Sequence, residues 1–262
     1  MTGPTSFPPG TFTPDPRTSS IAAMLAAQYR LELTLLLRNG EQLLLTMFIP
    51  ITLLVGLSIL PLGPFGDGHA ARATTLLPVI MSLAVIATAF TGQAIAVAFD
   101  RRYGALKRLG ATALPVWCII AGKSLSVATV VVLQSVLLGV IGAVLGWRPG
   151  VAGLMLGAVV IGLGTVCFAA LGLLLGGSLR AEIVLAAANL MWFVFGGFSA
   201  LTVETDLVPE PVRWLARLTP SGAFTEALSQ ALSVSVDWLG VAVVIGWALV
   251  AAMGALRWFR FS

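Results

Sequence analysis

The sequence predicts an all-α polytopic membrane protein with six transmembrane helices, and three observations carry that reading. Of 262 residues, 58% are hydrophobic and only 10% charged, against about 25% charged in an ordinary soluble domain. Mean hydropathy is +0.99, so the apolar surface exceeds what a core of this size could hide and lipid must solvate much of it. Six apolar runs are long enough for a bilayer crossing, which takes about 20 residues. They cover Leu43 to Leu62, Thr75 to Ala98, Ile119 to Leu145, Val151 to Leu175, Ile183 to Leu201 and Trp238 to Leu256.

Residues 1–18 are rich in Pro, Thr, Ser and Gly and read as a disordered tail. No basic stretch precedes an apolar one there, so no signal peptide is expected. Residues 19–40 follow as an amphipathic interfacial helix, from a Ser19 or Ser20 cap to an Asn39-Gly40 stop. Arg30, Thr34 and Arg38 share one face, while Ile21, Met24, Leu25, Leu31, Leu35 and Leu36 cover the other. Glu32 and Gln28 break the pattern by falling on the apolar side. Glu32 either pairs with a base from the next cytoplasmic loop or tilts to the headgroups and is solvated.

The remaining residues, 41–262, form the six-span domain. Pro50 lies inside the first run, and Gly146-Trp147-Arg148-Pro149-Gly150 breaks the third from the fourth. Six crossings put both termini on one side. Eleven of the fifteen Lys and Arg lie on that side and four, Arg72, Arg148, Arg213 and Arg217, lie opposite, which orients the termini to the cytoplasm and places the chain in the plasma (inner) membrane.

Between the second and third runs, Phe99, Tyr103, Leu106 and Leu109 recur at helical spacing beside Asp100, Arg101, Arg102, Lys107 and Arg108. A short cytoplasmic helix there would offer an apolar ridge to a partner's groove. An anionic lipid surface would also suit its charge, but the ridge favours docking. Between the fifth and sixth runs, Pro209, Pro211 and Pro220 break the chain into two short helices. They are expected to dip into the outer leaflet as a re-entrant cap, with Trp214 and Trp238 at the interface.

Several chemistries lack material. Scattered bases make no stripe for nucleic acid. Cys118 and Cys167 both lie in apolar runs and build neither a disulfide framework nor a zinc site, and His69 is the single histidine. Gly122-Lys123-Ser124 resembles a phosphate loop, yet Trp117 stands where its first glycine is required. The chain therefore binds no cofactor and has no ATPase of its own. The polar residues noted in the runs are Thr91, Gln93, Gln134, Ser135, Thr165 and Asn189. With no charge expected among them, ion-driven transport is disfavoured, and Gln93, Gln134 and Asn189 serve a pathway or helix packing. Small-residue pairs at Gly142/Gly146, Gly153/Gly157 and Gly172/Gly176 permit close helix contacts, within one subunit or between two.

The run Phe99-Asp100-Arg101-Arg102-Tyr103-Gly104-Ala105-Leu106-Lys107-Arg108-Leu109, followed by Ala113-Leu114-Pro115 and Gly122-Lys123, resembles the cytoplasmic signature of type-2 ABC exporter permeases. This is the drug-resistance and polysaccharide or lipid export group. Arg38-Asn39, Pro50 and Leu218-Thr219-Pro220 before Glu226-Ala227-Leu228 keep that family's order, although the family commonly has Glu at the position of Asp100 and Pro near Ala113. The resemblance implies a permease whose Asp100–Leu109 helix docks on a separate ATP-binding subunit that holds ATP and Mg. It also implies a second permease, identical or different, and a Ser19–Arg38 helix, with Arg30, Glu32 and Arg38, that braces the same junction. The implied function is efflux of a hydrophobic or amphipathic drug, lipid or glycan. The competing reading is a membrane-embedded enzyme acting on a lipid-linked substrate through Glu204, Asp206, Glu210 and Glu226.

Overall fold

In the computed structural model, residues 19–60, 65–112, 114–202 and 208–258 are described, apart from the side chains of residues 41, 42 and 45. Among them every regular element is a helix: α1 (Ile21–Arg38), α2 (Gly40–Ile59), α3 (His69–Val85), a π-helical stretch (Ile86–Gly92), α4 (Gln93–Arg102), α5 (Ala105–Gly110), α6 (Val116–Val144), α7 (Val151–Ser178), α8 (Ala181–Ala200), α9 (Glu210–Leu218), α10 (Pro220–Leu232) and α11 (Trp238–Trp258).

Five helices are long and apolar enough to cross a bilayer: the continuous rod His69–Arg102, then α6, α7, α8 and α11. Here the count departs from the six runs. The described apolar part of α2 covers only Thr46–Ile59, short of the other five. The second run also begins earlier than expected. Its rod holds 34 residues, about 51 Å at 1.5 Å per residue, and stands at the centre of the bundle with most of its apolar stretch buried.

Edge-to-face phenyl rings fill the core around this rod. Phe90 of the π stretch meets Phe195 of α8 at 5.3 Å, and Phe168 of α7 meets Phe195 and Phe224 at 5.8 Å each. Cys118 and Cys167 are buried free thiols.

The glycine pairs are used inside the chain. A β-carbon on Gly172 would lie 2.8 Å from the Phe90 carbonyl oxygen, and one on Gly176 would lie 2.4 Å from that of Ala94. The central rod and α7 therefore touch backbone to backbone. Gly153 and Gly157 receive Leu232 of α10, while Gly142 and Gly146 receive Leu77 and Ala70 of α3.

Arg72 joins α2 to α3 by donating to the carbonyls of Ser58 and Ile59 at 3.2 and 3.3 Å, beside the His69 ring, which lies 3.2 Å from the same Ser58 oxygen. His69 thus opens α3. At the opposite end of the bundle, the start of α2, the end of α4 and the first turns of α6 come together around Asn39, Leu43, Asp100 and Lys123.

Candidate functional site

Three charged side chains from three helices meet at that second end. The Lys123 ammonium of α6 donates to Glu32 Oε2 of α1 at 2.7 Å and to Asp100 Oδ2 of α4 at 2.8 Å. Gln28, one turn before Glu32, donates its amide to Glu32 Oε1 at 2.9 Å. Lys123 and Glu32 expose only 7% and 9% of their side chains and Asp100 36%. Burying such charges costs several kcal/mol each unless partners compensate, so the cluster persists because each member is bonded.

The neighbouring residues bring the helices close enough for this. A β-carbon at Gly122 would lie 2.6 Å from Gln28 Cγ and 3.1 Å from the Tyr29 nitrogen; only glycine lets α1 cross α6 there. Two turns further along α6, the Thr129 hydroxyl lies 3.0 Å from that of Tyr29. The stretch Gly122-Lys123, set aside as a false phosphate loop, is the crossing point of two helices.

The arrangement decides two sequence expectations. Glu32 is paired, and its partner is Lys123 of α6. The expectation that the apolar runs carry no charge fails at Lys123, which belongs to the third run and is buried. Arg30 and Arg38 are exposed, as are Ile21, Leu31, Leu35 and Leu37 of α1. Gln28 and Glu32 turn toward the protein, leaving an apolar flank open to the surroundings.

The 99–110 segment is an elbow instead of one straight helix. α4 ends at Arg102, Gly104 adopts φ +70°, and α5 starts at Ala105. A left-handed turn here favours glycine. Arg108 pins the bend by donating to the Tyr103 carbonyl at 2.9 Å. The expected outward ridge is therefore split. Leu106 is 3% exposed and packs with Val97 and Ile119, joined by Leu109, while Phe99 packs against the main core. Tyr103 is 65% exposed, with Arg102, Lys107 and Arg108 also at the surface. The face left for a partner is aromatic and basic. Arg101 faces inward and donates to the carbonyls of Gly176 and Leu179 at 2.9 and 3.1 Å, capping α7 where its helix dipole is negative. Arg102 reaches Glu182 at the start of α8.

A 140 Å³ cavity adjoins the charged cluster, walled by Glu32, Asp100, Lys123, Thr88 and Gln93. Gln93 donates to the Ala169 carbonyl of α7 at 3.4 Å. Gln134 accepts from Thr88 at 2.8 Å and donates to the Thr46 carbonyl at 3.2 Å, stitching α6, the π stretch and α2 together. Asn189 is exposed and bonded to the Leu185 carbonyl of its own helix at 2.8 Å. It lines a separate 480 Å³ groove between α2, the π stretch and α8, with Pro50, Thr91, Trp192 and Phe193. Gln93 and Gln134 thus tie helices together beside the cluster, and Asn189 lines the groove. The π geometry, frequent at functional sites, has no signal in the sequence.

At the other end, α9 and α10 form a bent hairpin. Thr219 caps α10 by accepting from the Gly222 amide at 3.2 Å, with Pro220 in the first turn. Phe224 packs under Gly164, halfway along α7, and Leu232 packs at Gly153 near its start, so α10 runs from the middle of the bundle outward. Trp247, well inside α11, donates to the Leu218 carbonyl at 3.0 Å. Arg217 grips both Asp237 oxygens at 2.9 and 2.8 Å and lies 5.4 Å from the Trp214 ring. Asp237, 7% exposed, escaped the sequence reading because it sits alone before the sixth run. Trp214 and Trp238 are exposed.

The four carboxylates proposed for an enzyme divide. Glu204 and Asp206 lie outside the described residues, Glu210 opens α9, and Glu226 on α10 accepts from Gln230 at 2.9 Å. Among the described residues no cluster of His, Cys, Asp or Glu could hold a metal.

A helical bundle with five bilayer-length apolar helices, interrupted rods and polar ties at both ends defines a multi-pass membrane protein. Residues 70–257, more than two thirds of the chain, match the family described as ABC-2 family transporter protein. The chain belongs to that family, as an ABC-2 type permease of the kind that normally pairs with an ABC ATPase subunit. No curated protein matches it.

Proposed function

We propose that this chain is the membrane subunit of an ATP-driven exporter, moved by a separate ATPase that holds ATP and Mg, and that it exports a hydrophobic or amphipathic compound: a drug, a lipid or a glycan. The single observation that carries the coupling is the Glu32–Lys123–Asp100 cluster. It locks α1, α4 and α6 together immediately behind the α4–α5 elbow. A displacement of α5 by a partner is then passed to three helices at once, because pulling one of them away inside the bundle would leave a buried charge unpaired.

In this reading α2 is the sixth crossing. Its 20 residues span about 30 Å, tied at one end to Arg72 and reaching the Asp100 end at the other. Both termini and the elbow then face the cytoplasm of a plasma membrane. α1 lies in the interface with Ile21, Leu31, Leu35 and Leu37 toward lipid and Arg30 and Arg38 at headgroup level. The α9–α10 hairpin, turning at Pro220 and carrying Glu226, re-enters the outer leaflet. Two permeases, identical or different, face each other across the α2–α8 groove, whose weakly polar lining suits apolar cargo.

Tyr103→Ala combined with Lys107→Glu tests the docking face without touching the cluster or the Arg108 pin. The pair is expected to lower co-purification of the ATPase at least tenfold and to abolish its stimulated hydrolysis, with the permease still inserted. Undiminished co-purification and stimulation would remove the elbow from the interface.

A further inference from the structure

We propose that the groove between α6 and α7 binds an anionic phospholipid, with an acyl chain along the groove and the phosphate on Arg148. Both helices are long and apolar enough to stand in lipid. A short loop joins α6 and α7, yet they pack on different neighbours. α6 leans on α1 and α3, and α7 leans on α11, α4 and α10. The resulting splay leaves an open groove of 500 Å³ between them. Val136 and Val140 form one wall, Leu154 and Ala158 the other, and Met81 and Leu232 the floor. Val140 is 56% exposed and Leu154 48%, so apolar side chains face outward with none of the described residues above them.

Length and charge name the occupant. From Val151 at the loop to Ile161 at the groove's inner end is ten residues of α7, about 15 Å, which is half of the roughly 30 Å hydrocarbon core. The groove is one leaflet deep. Its mouth holds Trp147, buried at 5% exposure, and Arg148. Arg148 is anchored through Nη1 alone, which donates to the carbonyls of Ala143 and Trp147. Its Nε and Nη2 hydrogens have no partner among the described residues. A guanidinium fixed at one nitrogen with two donors free matches the paired oxygens of a phosphate, and its position at the hydrocarbon edge matches that of a headgroup.

Native mass spectrometry of the purified full chain, titrated with dioleoyl phosphatidylglycerol or dioleoyl phosphatidylcholine, tests this. One phosphatidylglycerol should be retained with about fivefold preference, the worth of one basic side chain near an anionic headgroup. Arg148→Gln should bring the two lipids level while both still bind. Ala158→Phe, filling the groove from α7, should remove both, and Gly139→Leu, filling it from α6, should do the same; either suffices if the other does not fold. Equal retention of the two lipids by the unmodified chain, or undiminished retention in a folded groove-filling variant, would overturn the proposal.

Discussion

Lys123→Met is expected to unfold the charged end of the bundle. The substitution keeps most of the side-chain volume but leaves Glu32, buried to 9% side-chain exposure, and Asp100 facing each other without their shared cation. Removing one partner of a buried pair costs about 3–5 kcal/mol, and here two carboxylates lose the same partner. α1 should detach from α6, lowering the detergent-solubilised thermal midpoint and the yield of monodisperse protein. Adding Glu32→Gln and Asp100→Asn in the Lys123→Met background removes the stranded charges and should restore most of the midpoint. If Lys123→Met alone left the midpoint unchanged, the cluster would not hold α1.

The second large effect lies at the opposite end. Asp237→Ala strands the Arg217 guanidinium, whose side chain is 19% exposed and whose Nη2 bonds both Asp237 oxygens. The expected loss is about 3 kcal/mol, read as a lowered thermal midpoint and faster proteolysis between α9 and α10. Because the hairpin is remote from the elbow, ATPase co-purification should persist in the fraction that stays folded. Conversely, a stable Asp237→Ala variant with an intact hairpin would show that Trp247 and the Thr219 cap suffice to hold it.

The two ends of the molecule were legible to different degrees. Apolar runs and the Gly-Pro break at residues 146–150 placed α6, α7, α8 and α11 within a few residues, because lipid exposure writes itself as continuous hydrophobicity. The amphipathic pattern likewise located α1 and singled out Glu32 as anomalous. Sequence alone does not single out its partner, because Lys123 sits four residues inside an apolar run and Gly122 beside it resembles part of a failed motif. A pair 91 residues apart has no local signature. The elbow was misread for a related reason: helical spacing placed Leu106 and Leu109 on an outward ridge, but the bend at Gly104 turns them onto Val97 and Ile119. The π stretch and the Arg217–Asp237 grip depend on tertiary packing alone.

For an ATPase to dock on the elbow, the elbow and the Arg72 end must face opposite sides of the membrane. Lys107→Cys and, in a separate protein, Asp67→Cys can be exposed to a membrane-impermeant maleimide in intact cells; Cys118 and Cys167 are buried and will not compete. Position 67 should label at once and position 107 only after permeabilisation. Labelling of position 107 in intact cells would put the docking face outside, where no ATPase can reach it.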